Sequence, residues 1–86
     1  MSKKYYNVGM IGGLHMAGNA ECYKDDQIIK RYSYVISVKA DKKYGYFIIS
    51  QKIYRHEIMS TIRYRDCDRI IYTDSKGVRK EIRQDD

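Results

Sequence analysis

The amino-acid sequence predicts a mainly β protein: one small antiparallel sheet of hairpins, with a short helix at residues 54–65 packed on it and α+β as the alternative class. Three observations carry this. The apolar content, 43 %, rests largely on isoleucine and on ten tyrosines, with one Phe and no Trp, and both Ile and Tyr favour strands. Residues 32–39 alternate between two faces as a half-buried strand does. Gly12-Gly13 and the stretch "DSKG" at 74–77 offer hairpin turns, and no proline interrupts the chain.

At 86 residues the chain is read as a single domain, 1–86, with 84–86 as a frayed tail. A chain this short buries only about two-thirds of the surface its unfolded form exposes, so the core is small and a deep catalytic cleft has little room.

Taken in order, Gly12-Gly13 supplies the positive φ of a two-residue turn between strands at 5–11 and 14–23. The competing reading, a phosphate cradle, fits neither GxGxxG nor GxxxxGK, and no basic residue follows closely. In the next strand Tyr32, Tyr34, Ile36 and Val38 share one face, and Ser33, Val35, Ser37 and Lys39 the other. Residues 44–53 are apolar on both faces, so the connection decides which side turns inward. With "ADKK", 40–43, as a four-residue loop, Lys39 pairs with Tyr44. The core face then collects Tyr34, Ile36, Val38, Phe47, Ile49 and Ile53. The outer face carries Lys39, Tyr44, Tyr46, Ser33, Ser37, Ser50 and Lys52, with Val35 and Ile48 between them.

Two similar stretches, "KRYSYVIS" at 30–37 and "KKYGYFIIS" at 42–50, therefore take opposite parts, the tyrosines of the first inward and those of the second outward. A one-residue change in loop length reverses the assignment. Residues 54–65, "YRHEIMSTIRYR", place Tyr54, Ile58, Met59 and Ile62 on one helical face, or Ile58, Ser60, Ile62 and Tyr64 on one face of a strand. The expectation is a helix of two to three turns. "DCD" at 66–68 turns the chain. The final hairpin is "RIIYT", the turn Asp74–Gly77 and "VRKEIR", with Asp74 opening a type I turn and Gly77 closing it.

Seventeen Lys and Arg against eleven Asp and Glu give a net charge of +6, which favours an acidic partner: nucleic acid or an acidic protein surface. No apolar run approaches the roughly 20 residues that span a bilayer, so no membrane partner is expected and the location is read as cytoplasmic, the host cytoplasm if the chain is phage-encoded. Lys3 and Lys4 followed by "VGMIGGLHMAGNA" have the outline of a signal peptide, but four glycines and His15 break its apolar stretch. Cys22 and Cys67 are read as reduced thiols.

His15, Cys22, His56 and Cys67 are zinc-ligand types, yet none stands in a short-spaced pair, so no metal or cofactor is expected. Two histidines among many cations could instead provide the acid, base and phosphate-binding groups of metal-independent RNA cleavage. "RYRDCDRIIY", 63–72, resembles the final strands of the small basic ribonuclease toxins of toxin–antitoxin modules. The likeness covers those ten residues, and the basic helical pair that precedes them in that family is missing here, so no catalytic residues carry over and the chain is read as non-enzymatic.

The strongest functional pattern is an interleaving of Tyr44 and Tyr46 with Lys39, Lys42, Lys43 and Lys52, joined further on by Arg63 and Arg65. Exposed aromatic rings stack on bases and Lys and Arg neutralise phosphates, so these eight residues are the candidate binding surface. The competing account is a solvated charged face that keeps the sheet soluble. In composition the chain also resembles small accessory proteins of phages and mobile elements, some of which block restriction or CRISPR effectors. That likeness implies an inhibitor whose Tyr and Arg side chains anchor on a protein target. A homodimer joined through a sheet edge is a further expectation for so small a sheet.

Overall fold

The structure, a computed structural model, describes residues 17–85. They form one six-stranded antiparallel sheet: β1 (Gly18–Lys24), β2 (Gln27–Asp41), β3 (Tyr46–Ile53), β4 (His56–Arg63), β5 (Arg69–Thr73) and β6 (Arg79–Arg83), in the spatial order β4-β3-β2-β1-β5-β6. The expected strand at 5–11 and the Gly12-Gly13 turn lie outside the described residues. β1 overlaps the later part of the strand expected at 14–23.

Each connection has a local cause. Asp25 and Asp26 both adopt positive φ, 53° and 64°, as a type I′ turn requires, so Lys24 pairs with Gln27 across a two-residue loop. Between β2 and β3 the Asp41 carboxylate accepts the amides of Lys43 and Tyr44, and Gly45, at φ 74°, donates its amide to the Asp41 carbonyl at 2.8 Å. In the last hairpin Asp74 Oδ1 accepts the amides of Lys76 and Val78, both at 2.9 Å, and Gly77 at φ 86° closes the turn, as its sequence predicts.

The sheet curls so that one face closes on itself. Ala20, Cys22, Tyr32, Val35, Phe47, Ile49, Cys67 and Ile70 are buried there, with Val38, Ala40, Ile62, Tyr64, Tyr72 and Ile82 packed around them. Phe47 meets Tyr64 at 4.9 Å between ring centroids, and the Tyr72 hydroxyl donates to the Val35 carbonyl at 3.4 Å. No charged side chain is buried among the described residues, as the cost of desolvating an unpaired charge demands.

Three expectations are corrected. Residues 56–63 are a strand and not a helix. Tyr54 takes φ 58° in a two-residue turn, Ile53 pairs with His56, and the β-branched Ile58, Thr61 and Ile62 lie along β3, where such side chains pack well. The only helical piece among the described residues is the single turn Tyr64–Asp66. Second, the β2–β3 loop is 42–45 and not 40–43, so Lys39 pairs with Ile48 instead of Tyr44.

Third, β2 is irregular. Its pairing with β3 shifts between Val35 and Ser37, its pairing with β1 shifts between Gly18 and Ala20, and Tyr34 sits at φ 58°. The extra residues of a bulge swap the faces of everything beyond them. Val35, expected outside, is therefore fully buried, while Tyr34 and Ile36, expected in the core, are 42 % and 36 % exposed. Of the first pair of tyrosines only Tyr32 turns inward.

Candidate nucleic-acid interface

The loop moved by two residues at each end, and an even shift preserves which positions share a face. Tyr46 and Lys52 on β3 and Lys39 on β2 thus fall on the outward face of β2–β4 as their alternation requires, together with Ser37, Ile48 and Ser50. Phe47 and Ile49 point into the core with no exposure. β4, in its strand form, adds a further member. Tyr46 lies between Asp41 on β2 and Arg63 on β4, Ile48 between Lys39 and Thr61, Ser50 between Ser37 and Met59, and Lys52 faces Glu57.

Tyr44 belongs to the loop, where it is 64 % exposed. Its ring stacks on that of Tyr46, with centroids 6.1 Å apart and planes 13° from parallel, the offset arrangement that aromatic quadrupoles favour. The Lys43 ammonium lies 5.4 Å from the Tyr44 ring centroid, within cation–π range. The Tyr64 amide donates to the Gly45 carbonyl at 3.0 Å, so the loop is braced from the end of β4 as well as from Asp41. Lys42 and Lys43 are exposed on this loop. Arg65 stands on the single turn after β4, two residues beyond Arg63, and strand pairing does not place it on the face.

Some cations of the sheet are tied to acids, while Lys30, Arg55, Lys76, Arg79 and Lys80, like those of this region, form no salt bridge among the described residues. Elsewhere Lys24 pairs with Asp68 at 3.2 Å, Arg31 with Glu21 at 3.4 Å, Arg69 with Asp26 and Glu81 at 3.6 and 3.5 Å, and Arg83 with Glu81. Among the described residues Lys39, Lys42, Lys43, Lys52, Arg63 and Arg65 enter no such pair. The one carboxylate within the tyrosine row, Asp41, is engaged with loop amides. The result is a surface with an aromatic pair at one end and cations that form no salt bridge among the described residues, although Lys52 has Glu57 across the ladder.

Other singled-out residues are scattered. His56 opens β4, exposed, opposite Ile53; His15 lies outside the described residues. Of the remaining cations, Arg79 and Lys80 lie on β6 at the far edge of the sheet. No group of three or more His, Cys, Asp or Glu among the described residues could hold a metal ion. Gln84, assigned to the tail by its sequence, donates to the carbonyls of Tyr64 and Cys67 at 2.8 and 3.1 Å.

Two features escaped the sequence. Cys22 and Cys67 meet in the core as free thiols. The hydrogen bond from Cys22 to Cys67, helped by burial, pushes the Cys22 thiol far up, and the same bond lowers Cys67. Sequence separation hides such a contact. The second is an open cavity of about 460 Å³ between β1, β2, β5 and β6, lined by Asn19, Glu21, Arg31, Ser33, Thr73 and Arg79. No family model, no curated protein and no solved structure matches this chain.

Proposed function

We propose that the outward face of β2–β4 is a binding surface for single-stranded nucleic acid, on which Tyr44 and Tyr46 stack against bases while Lys39, Lys42, Lys43, Lys52 and Arg63 lie along the phosphates, with Arg65 as a neighbouring cation. The observation that carries the reading is the near-parallel Tyr44–Tyr46 pair beside cations that form no salt bridge among the described residues. Stacking is worth about 1–3 kcal/mol per base and tolerates any base. The phosphate contribution is independent of sequence and released by salt. Together they describe a binding module that needs no catalytic group.

The salt dependence of binding tests it. Titration of labelled single-stranded RNA with the protein over a range of salt gives a slope of log K against log salt of about −0.7 per neutralised phosphate for single strands. Five engaged cations predict a slope of about −3.5, and replacing Lys39 and Lys52 by Ala reduces its magnitude by about 1.4. A slope unchanged by the double substitution removes the face from the binding site, and absence of binding turns the search to an acidic protein surface.

A further inference from the structure

The two edges of the sheet differ in a way the binding face does not explain. β6 has five residues, four of them charged: Arg79, Lys80, Glu81 and Arg83. A charged edge resists pairing with another strand. β4 has eight residues and keeps its charge at the ends, with Glu57 near one end and Arg63 at the other; between them stand Ile58, Met59, Ser60, Thr61 and Ile62. Met59 is 70 % and Ile58 42 % exposed. Among the described residues nothing pairs with the outer side of β4.

The ladder fixes which backbone groups that edge presents. Ile53 and His56 close a two-residue hairpin and exchange both hydrogen bonds, and bonded and non-bonded pairs alternate along an antiparallel ladder. His56, Ile58, Ser60 and Ile62 therefore spend their amides and carbonyls on β3. Glu57, Met59, Thr61 and Arg63 direct theirs outward, an unused row of donors and acceptors seven residues long.

A strand with opposite charges at its two ends is complementary to itself when turned antiparallel, and repels itself when parallel. Outward-bonding residues must face outward-bonding residues, which leaves alternate registers only. The register centred on Met59 sets Arg63 against Arg55. The register centred on Ser60 sets Glu57 against Arg63 at both ends, Met59 against Thr61, and Ile58 against Ile62 on the core side, using the row from 57 to 63 in full. We propose that β4 is the seat of a two-fold dimer in which two copies of this chain pair their β4 edges antiparallel about Ser60, with Glu57 of each copy opposite Arg63 of the other. The two six-stranded sheets become one continuous sheet. The contact is isologous, as a two-fold interface must be; it leaves the Tyr44–Tyr46 pair uncovered and engages Arg63, which the binding reading also uses, and the two fail separately because mass reads the dimer and anisotropy with the tyrosines replaced reads the binding.

The test is the mass of the full chain by light scattering after size exclusion, at concentrations from about one to a few hundred micromolar, the range of a modest edge contact. A dimer is expected. Glu57→Arg and Arg63→Glu each set like charges opposite one another twice and weaken the dimer about tenfold or more; combining them restores it. Far-UV circular dichroism establishes that each variant keeps its sheet. In addition, Ser60→Cys brings two thiols together across the two-fold axis and yields a disulfide-linked dimer on mild oxidation, whereas Met59→Cys does not. A monomer throughout, a dimer indifferent to both charge reversals, or cross-linking through Cys at 59 and not at 60 overturns the proposal.

Discussion

The carboxylate of Asp41 holds the backbone amide of Tyr44, at 3.2 Å, and that of Lys43, at 3.1 Å. One acidic side chain thereby sets the loop that carries the outer ring of the aromatic pair. Its neighbours are cations, and its removal raises the net charge above +6. Field and geometry therefore make opposite predictions for this residue.

If preorganisation of Tyr44 matters more than the field, Asp41→Ala weakens single-stranded RNA binding several-fold despite the added positive charge, and costs about 1 kcal/mol of stability for the lost hydrogen bonds. Denaturant melts and anisotropy titrations read the two effects. Tighter binding by the variant would show that the field governs and that the loop geometry is incidental.

Tyr54 has φ 58° and is 79 % exposed, so it bears left-handed backbone strain with little burial in return. Replacing it by Gly relieves a cost of about 1–2 kcal/mol and introduces about 0.5–1 kcal/mol of chain entropy. The variant is expected to be more stable by roughly 0.5–1 kcal/mol, read as a higher midpoint in urea. Destabilisation by that substitution would argue against the β3–β4 turn.

That turn also marks where sequence reasoning reached its limit. The hairpin of residues 69–83 was legible because everything that makes it is local: Asp74 caps its own turn and Gly77 relieves it. The outward placement of Tyr46, Lys39 and Lys52 was legible because alternation survives any even shift of the loop, whereas Tyr44, expected on the strand, sits in the loop itself. Residues 54–65 carry apolar side chains at both helical and strand spacing, and the choice fell to pairing with the strand that carries Phe47 and Ile49, which lie outside that stretch. The bulges around Tyr34 leave no compositional trace, so Val35 and Ile36 exchanged places. Arg63 joined Tyr46 only because β4 is a strand.

Phe47 is fully buried at the centre of the core and touches Tyr64, whose amide braces the β2–β3 loop at Gly45. Phe47→Ala is expected to cost about 3–5 kcal/mol, enough to unfold a domain of this size in part. Val35→Ala, also at a fully buried position, costs less because fewer atoms are removed, whereas Ile36→Ala stays near 1 kcal/mol or below. Equal losses at 35 and 36 would contradict the bulge.

Asp68 accepts the Asp25 amide at 2.9 Å and lies 3.2 Å from the Lys24 ammonium. The amide first, and the ammonium after it, hold its carboxyl below the usual aspartate range. A depressed folded-state value means the contribution is present above the unfolded pKa and is lost as pH falls through the folded one. Acid melts should therefore show a loss of stability below the ordinary carboxylate range that is smaller in Asp68→Asn. An identical acid profile for the variant would remove Asp68 from that account.

Cys22 and Cys67 are both fully buried, and the bond between the thiols with burial keeps Cys22 protonated. Alkylation in native buffer is expected to be slower than in the urea-unfolded chain by about 100-fold or more, since it must await opening of the core. Labelling at the unfolded rate would mean that these thiols are not enclosed.

The central claim is that the stacked tyrosines, and not positive charge alone, make the face a binding surface. The measurement that tests it most directly is anisotropy of labelled single-stranded RNA with the native chain and with the Tyr44→Ala, Tyr46→Ala double variant at near-physiological salt. The account predicts micromolar or tighter binding by the native chain and a loss of at least tenfold in the variant, whose net charge is unchanged, with its melting curve retained. Equal affinity of the two chains would contradict it.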